Sequence, residues 1–174
     1  TDNTVDGPQT CTIQTGTVTG DPVYTSLSQS TSVTVNDQDS AAISFSAPAV
    51  ATIDEPGGTT TSTTFNVTLS SSPSSVVTIA ITSTDTTECT ISPTSVMLDG
   101  TDWNIGESVT INSVTDNIAD SSQTCTLEIG TVSGSDTDYT ALSNNGTSTS
   151  VTVANVDVAG INFGTPVDST IDEP

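Results

Sequence analysis

The segment "TDNIADSSQTCTLEIGTVSG", Thr115–Gly134, aligns with "TDNTVDGPQTCTIQTGTVTG", Thr1–Gly20, at a constant shift of 114 residues. Further along, "YTAL" matches "YTSL", "SVTVANVD" matches "SVTVNDQD", and "INFGTPVDSTIDEP" matches "ISFSAPAVATIDEP" at a shift that has grown to 118 residues. A period of this length is typical of a β-sandwich module and too long for a solenoid repeat. We therefore interpret the chain as part of a tandem array.

The repeat divides the chain into three parts. Residues 1–40 match the C-terminal part of one β-sandwich repeat, residues 41–157 form a complete repeat, and residues 158–174 match the first strand of the next repeat. The two flanking parts contain no equivalent of residues 57–114, so identical chains could not complete one another simply by exchanging ends. This favours a longer parent chain.

Alternation of apolar and polar residues predicts β-strands throughout the complete repeat, and no segment has the periodicity of an amphipathic helix. The predicted strands are 42–53, 63–69, 76–83, 89–91 with 95–98, 108–114, 123–132 and 148–154. Turn-forming Gly, Pro, Asn and Ser separate them, as in "PGG", "SSSPSS" and "SNNG". The predicted fold is all-β, an antiparallel Ig-like β-sandwich.

The charge of the chain excludes several classes of function. Its 174 residues include 21 Asp and Glu but no Lys, Arg or His, which gives a net charge of −21. Without cationic side chains we expect no nucleic acid partner and no binding to an anionic membrane surface. No run approaches the roughly 20 apolar residues of a membrane span, so we also expect no membrane insertion.

The missing residue types also restrict catalysis. Without His or Lys the chain has no ordinary general base near neutral pH and no Schiff-base lysine. A glycosidase with two carboxylates would need a cleft that places its acids roughly 5–9.5 Å apart, and nothing in the repeat marks one. We therefore expect that the protein is not an enzyme.

The stretch "SPTSVMLDGTDWNIGESVTI", Ser92–Ile111, carries the most specific family likeness. Together with "IDEPGG" before it and "SVTVANVD" after it, this stretch resembles the Calx-β module, in particular the tandem copies in large bacterial surface and adhesin proteins. The likeness covers the complete repeat and both flanking parts. It implies a Calx-β-type β-sandwich.

The resemblance also implies calcium as a cofactor. Calx-β modules that bind calcium use carboxylates at the end of the first strand, in the loop before the penultimate strand and after the last strand. The matching residues are Asp54, Glu55, Asp116, Asp120 and Asp157 in the complete repeat, Asp2, Asp6, Asp37 and Asp39 in the leading part, and Asp172 and Glu173 in the trailing part. "NDQD" and "ANVD" depart from the family, because an acidic pair or triplet is usual there.

Calcium also suits these residue types on chemical grounds. The ion takes six to eight oxygen ligands, whereas zinc and copper prefer His or Cys. The alternative is that the carboxylates only keep the surface soluble. Their gathering at "TIDEP", "VTDNIAD" and "VNDQD" favours calcium over that alternative.

The repeat explains why the chain contains an odd number of cysteines, three. Cys11 and Cys125 occupy equivalent positions, so the expected disulfide of the complete repeat joins Cys89 to Cys125, and the partner of Cys11 would lie in a further part of the leading repeat. A disulfide indicates an oxidising, extracellular setting. A catalytic cysteine would need a His, which the chain lacks.

Two sequons and a few aromatic residues have open interpretations. Asn66 in "NVT" and Asn145 in "NGT" are candidate glycosylation sites. Trp103 is either a plug at one end of the sandwich or a stacking platform for a sugar. Tyr24 and Tyr139 occupy equivalent positions, where a packed structural tyrosine is the preferred interpretation.

The sequence as a whole predicts a structural repeat of an extracellular filament, stalk or adhesin shaft at the cell surface. Calcium at domain junctions and disulfides would stiffen it, and its partners would be other copies of the same repeat, in tandem or by filament assembly. The alternative is a carbohydrate- or receptor-binding adhesin module whose partners are surface glycans. In that case Trp103 or Tyr139 would be the stacking residue, and a buried Trp103 would count against it.

Overall fold

The computed structural model describes residues 2–165, 167, 170 and 173. The elements are β1 (Gln9–Gln14), β2 (Ser30–Val35), β3 (Ile43–Phe45), β4 (Thr52–Asp54), β5 (Ser62–Leu69), β6 (Val77–Ser83), β7 (Cys89–Ser92), β8 (Ser95–Leu98), β9 (Glu107–Ser113), β10 (Gln123–Gly134), α1 (Thr137–Thr140) and β11 (Ser148–Ala154). A five-stranded sheet in the order β4-β11-β10-β6-β8 and a four-stranded sheet in the order β3-β5-β9-β7 form a sandwich. The prediction of an all-β sandwich is confirmed.

The core follows from the period-two alternation of the strands. In β5, Phe65, Val67 and Leu69 are at most 4% exposed, and the residues between them are less buried. In β6 of the other sheet, Val77 and Ile79 are fully buried in the same apolar cluster. Each such side chain contributes about 1.5–3 kcal/mol when it leaves water, so the core holds the two sheets together.

Two predicted strands are wrong in one respect, because each divides between the two sheets. The predicted strand 42–53 becomes β3 in one sheet and β4 in the other, with Pro48 in the connection. The prediction that joined 89–91 with 95–98 likewise becomes β7 and β8, on either side of Pro93. Proline has no amide hydrogen to donate to a ladder, and the chain changes sheets at both positions.

The predicted disulfide between Cys89 and Cys125 is confirmed. It joins β7 to β10 across the sandwich, with a distance of 6.2 Å between the two Cα atoms, and both residues are fully buried. Cys11, the equivalent of Cys125 in the leading part of the chain, is an exposed thiol. The disulfide therefore ties together the two sheets of the complete repeat.

The leading part of the chain forms a separate two-stranded ribbon, β1–β2, with the same pairing as β10–β11. Gln9 pairs with Val35 and Cys11 with Val33 in the ribbon, at the positions where Gln123 pairs with Val153 and Cys125 with Val151. The pairing agrees along all of β1. Equivalent sequences in the two copies of the repeat thus form the same antiparallel hairpin.

Tyr139, at the turn between β10 and β11, anchors the loop that connects β5 to β6. Its hydroxyl group donates a hydrogen bond to the Ser71 carbonyl oxygen at 2.6 Å and accepts one from the Ser71 amide at 3.2 Å. Asp136 caps α1 and also accepts hydrogen bonds from the Ser74 amide and hydroxyl at 2.8 and 2.9 Å. The preferred interpretation of Tyr139 as a packed structural residue agrees with its exposure of 1%.

We expect Tyr139→Phe to lower the free energy of unfolding by about 1–3 kcal/mol, because it leaves buried polar groups of Ser71 without a partner. Tyr24→Phe is the matched control, since Tyr24 is 55% exposed and occupies the equivalent position in the leading part. Chemical denaturation of both variants measures the difference. Equal effects at the two positions would contradict this role of Tyr139.

Candidate metal centre

Three of the predicted acidic residues converge where the two sheets end. Glu55 follows β4, Asp116 follows β9 and Asp157 follows β11. One carboxylate oxygen from each lies within 4.8 Å of those from the other two. The parallel pairing of β4 with β11 continues into a hydrogen bond from the Glu55 amide to the Ala154 carbonyl oxygen at 3.0 Å, which fixes Glu55 beside the chain that leads to Asp157.

A second group shares Asp116 with the first. Glu88, Asp116 and Asp120 place carboxylate oxygens within the same 4.8 Å limit. The Val114 amide donates to the Glu88 carbonyl oxygen at 2.8 Å and so extends the β7–β9 ladder to the residues that carry the acids. Asp116 is therefore the common member of two adjoining acidic groups.

Glu88 was not among the residues that the sequence predicted. It lies in the middle stretch of the repeat, which has no second copy in the chain, and it is a single acidic residue in "TTECT". One signal was available: Glu88 directly precedes Cys89, and the predicted disulfide to Cys125 brings it near the loop that leads into β10.

The loop that carries Asp116 and Asp120 is held by local hydrogen bonds. Asn117 adopts a positive φ of 74°, and the Asp116 carboxylate accepts a hydrogen bond from the Ile118 amide at 2.7 Å. The Asn155 side chain donates to the Asp120 carbonyl oxygen at 2.6 Å. Asn tolerates this left-handed conformation better than most residues, so the sequence "TDN" suits the turn.

Several of these buried carboxylates have few hydrogen-bond donors and no cationic side chain to offset their charge. Glu55 is 2% exposed, and among the described residues its carboxylate accepts one hydrogen bond, from the Val156 amide at 3.3 Å. Glu88 is 7% exposed, and none of the hydrogen bonds among the described residues is accepted by its carboxylate. The Asp157 Oδ2 atom is buried and also lacks a partner among the described residues. Buried charges normally require pairing, and this chain has no Lys, Arg or His to supply it.

The pKa of Glu88 reflects this environment. Burial raises the pKa above its usual value, and the negative charges of Asp116, Asp85, Asp120 and Glu55 raise it further. A raised pKa in the folded state means that the ion-free folded chain holds the Glu88 proton more tightly than the unfolded chain. The stabilising contribution of protonated Glu88 is therefore present below the usual glutamate pKa and is lost as the pH rises through the raised pKa of the folded state.

We expect Glu88→Gln to stabilise the ion-free chain at pH 7, with an advantage that shrinks as the pH falls toward the ordinary glutamate value of 4.5. Glutamine retains the shape of the side chain but removes the charge that burial and neighbouring carboxylates disfavour. Urea unfolding in chelator at several pH values measures this. Glu128→Gln on an exposed position of β10 is the control, and equal pH profiles for the two variants would contradict the prediction.

Asp54 is not part of either acidic group. Its carboxylate accepts hydrogen bonds from the Thr59 amide, the Thr59 hydroxyl and the Thr60 amide at 2.8, 3.0 and 3.1 Å. These bonds, with that from Thr60 first, lower the pKa of Asp54. The structure thus places Asp54 as a support of the loop after β4, and the adjacent Glu55 as the residue that joins the acidic group.

The acids of the leading part line one surface depression but form no close group of three among the residues described. This set comprises Asp2, Asp6, Asp37 and Asp39. Asp37 accepts hydrogen bonds from the amides of Asp39, Gly7 and Asp6 at 2.8, 3.0 and 3.0 Å, and these bonds lower its pKa. In the trailing part, Asp172 lies outside the described residues, and Glu173 is exposed.

The remaining candidate residues lie away from the acidic groups. Trp103 is half-buried against the apolar core, and its carbonyl oxygen accepts a hydrogen bond from the Leu69 amide at 2.8 Å. Asn145 is exposed in the turn before β11. Asn66 lies within β5, and its side-chain amide donates to the Ile105 carbonyl oxygen at 2.8 Å. Glycosylation of either asparagine stays a prediction.

No family model matches the chain, and no curated protein matches it, so the Calx-β resemblance stays a prediction. Domains 4 and 5 of the S-layer protein SbsC are 20% identical, with a TM-score of 0.39 over 86% of this chain and 58% of theirs. WR4, a C. elegans MSP family member, is 16% identical, with a TM-score of 0.35 over 68% of this chain and 97% of its own.

The S-layer protein rSbsC(31-844) is also similar, at 16% identity and a TM-score of 0.39 over 89% of this chain and 17% of that one. The chain thus spans less than two thirds of either S-layer structure. TM-scores at this level do not define a common topology, and nothing about function follows from them. Within the described residues no helix is long and apolar enough to cross a membrane.

Proposed function

We propose that this chain is a structural module of an extracellular filament, stalk or adhesin shaft, in which sandwich repeats follow one another and calcium stiffens their junctions. The observation that carries the calcium part is the pair of acidic groups that share Asp116 in a chain without a single cationic side chain. The disulfide between Cys89 and Cys125 supports the extracellular setting.

The junction between the leading part and the sandwich supports the tandem arrangement. The Asn3 carbonyl oxygen accepts a hydrogen bond from the Ser72 amide at 2.6 Å, and Thr4 forms an isolated parallel bridge with Ser72. The Ser40 carbonyl oxygen accepts hydrogen bonds from the hydroxyl groups of Ser70 and Ser71 at 2.5 and 3.2 Å. Two separate segments of the leading part thus contact the loop that Tyr139 anchors.

The acidic positions of the repeat lie at this same junction. Asp2 and Asp6 flank the Asn3–Thr4 contact, and they are the equivalents of Asp116 and Asp120 in the complete repeat. A cation bound by one repeat would therefore lie beside the loop of the next. Its charge would offset the mutual repulsion of carboxylates in a chain of net charge −21 and would hold the loops in one arrangement.

The residues present fit calcium better than other common ions. Glu55, Asp116 and Asp157 would hold one ion, and Glu88, Asp116 and Asp120 would hold a second, so Asp116 is common to both sets of ligands. All these ligands are oxygen atoms, and the Asp157 Oδ2 atom, which has no partner among the described residues, would gain one from a bound cation. Backbone carbonyl oxygens and water can complete the six to eight ligands that calcium takes.

We expect calcium to bind the ion-free chain, and Asp116→Asn to weaken that binding at least about tenfold, because both acidic groups lose a ligand charge. Asp138→Asn is the matched control, since Asp138 is an exposed aspartate outside both groups. Isothermal titration calorimetry measures affinity and stoichiometry for all three chains. A titration without binding, or equal affinities for the two variants, would contradict the calcium assignment.

Hydrogen exchange at the junction tests the mechanical part of the proposal. A chain in which residues 41–114 also precede Thr1 supplies equivalents of Glu55 and Glu88 to the acids of the leading part, and in that chain calcium should slow exchange at the Ser72 amide, which donates to Asn3. The Val67 amide in the core provides an internal reference. If calcium binds but exchange at the Ser72 amide is not slowed, the ion stabilises single repeats only. That outcome would contradict stiffening of the junction.

The adhesin alternative receives less support from the geometry. Tyr139 is 1% exposed, and its hydroxyl group donates a hydrogen bond to the Ser71 carbonyl oxygen. A side chain buried in this way offers no surface on which a sugar could stack. Trp103 packs against the core with one part of its side chain, which favours the plug over an open platform. The structural module is therefore the function that we propose.

A further inference from the structure

The β1–β2 ribbon exposes an apolar face whose counterpart is buried in the same chain. Ile13, Val33 and Val35 are 58%, 53% and 56% exposed. Cys11 and Val33 are cross-strand partners, so they point to the same side of the ribbon, and Ile13 and Val35 share that side by the period of two. Together with Cys11 these residues form a continuous unpaired face, which we call the ribbon face.

The complete repeat shows what covers this kind of surface. The equivalents of the ribbon face are Cys125, Leu127, Val151 and Val153, and each is at most 1% exposed. In the sandwich they pack against the sheet of β3, β5, β9 and β7, while β6 and β4 pair with the edges of β10 and β11. Every covering element belongs to the segment between residues 41 and 114.

We propose that the ribbon face is the docking surface for a further copy of the 41–114 segment, carried by the same polypeptide directly ahead of Thr1, and that Cys11 forms a disulfide with the Cys89 equivalent of that copy. The register argues for this occupant, because β1–β2 reproduces every residue pair of β10–β11 from Gln9 to Gln14. The inference rests on the tandem-array part of the proposed function and not on calcium.

Chain geometry requires no linker for such an occupant. Thr1 is the equivalent of Thr115, which directly follows Val114, so a copy that ends at its Val114 equivalent continues into Thr1 without a gap. A second molecule of this chain is a poorer occupant. Its own 41–114 segment already covers β10–β11. If that segment covered the ribbon face of a neighbouring molecule instead, the apolar face of its own β10–β11 would become exposed.

The disulfide follows the same chemistry as in the complete repeat. Two thiols lose two protons and two electrons to an oxidant such as oxidised glutathione, which is reduced to two molecules of glutathione as the sulfur–sulfur bond forms. Cys11 is an exposed thiol in the chain as it stands. Burial of Cys11 against the added copy would bring it to the place that Cys125 occupies beside Cys89.

The test is a chain in which residues 41–114 are repeated directly before Thr1, refolded in a glutathione redox buffer with chelator. We expect the count of free thiols to fall from one per chain to none, with a peptide that links Cys11 to the added cysteine in the mass spectrum. A matched control carries the added segment with its apolar residues moved to the polar positions, and there Cys11 should remain reactive.

A second variant separates docking from disulfide formation. With the cysteine of the added copy replaced by serine, Cys11 should react with iodoacetamide at least about 100-fold more slowly than in the original chain, because only opening of the sandwich exposes it. Unchanged reactivity of Cys11, together with rapid hydrogen exchange throughout the added segment, would overturn the proposal. The chelator keeps this result independent of whether calcium binds.

Discussion

Saturating calcium should raise the free energy of unfolding of the ion-free chain by about 3–4 kcal/mol. A ligand that binds only the folded state stabilises it by about 2.7 kcal/mol at 100 times its dissociation constant and by about 4.1 kcal/mol at 1,000 times. The acidic groups depend on loops after β4, β9 and β11, so the unfolded chain has no comparable site. Differential scanning calorimetry with calcium and with chelator measures the shift, which should be roughly 6–15 °C for a domain of this size.

Ionic strength must be matched in this experiment. A chain of net charge −21 gains stability from any salt that screens its self-repulsion. Sodium chloride at equal ionic strength should therefore reproduce only a small part of the shift, and Asp116→Asn should lose most of it. An equal shift with sodium chloride, or a full shift in Asp116→Asn, would mean that calcium acts only by screening the charge of the chain and would contradict a specific site.

Removal of the disulfide should cost about 3–4 kcal/mol and should also weaken calcium binding. The two cysteines are 36 residues apart in sequence, and the chain-entropy estimate for loops of 15 to 100 residues is about 3–4.7 kcal/mol. The bond holds Cys89, the residue after Glu88, against β10, which begins where the loop that carries Asp116 and Asp120 ends. Its loss frees the ligands of the second acidic group, so we expect about a tenfold weaker affinity.

The double variant Cys89→Ala with Cys125→Ala tests both effects without adding a buried hydroxyl group. Cys11→Ala is the matched control, since the Cys11 thiol is exposed and makes no disulfide. Urea unfolding gives the stability and calorimetry gives the affinity. By linkage, calcium should make reduction of the bond in the unaltered chain less favourable at equilibrium by the same factor. Equal calcium affinity with and without the disulfide would disprove the coupling.

The sequence predicted the fold class because strand alternation and the long repeat both report directly on a packed sandwich. It did not predict where the chain changes sheets. The run 42–53 has an apolar pattern that suits either sheet, and only tertiary pairing decides that Ile43 joins β5 while Ile53 joins β11. The one-turn helix α1 is too short to produce a periodic signal.

The acidic site was predictable to the extent that the repeat displayed it twice. Asp116, Asp120 and Asp157 recur as Asp2, Asp6 and Asp39, which separated them from other surface acids. Glu88 had no second copy to mark it. Asp54 and Glu55 are adjacent in sequence, and only the structure distinguishes the one that supports a loop from the one that faces the acidic group.

The identical ladders of the two hairpins have a consequence for how copies of this repeat diverge. Glu128 and Ser148 pair at the positions of Gln14 and Ser30, so the connection between the strands is longer in the complete repeat by the difference between 118 and 114, four residues. This connection changes length without disturbing a single pair in the ladder. Short peptides grafted into this connection along an engineered fibre should therefore leave the fold of each repeat unchanged.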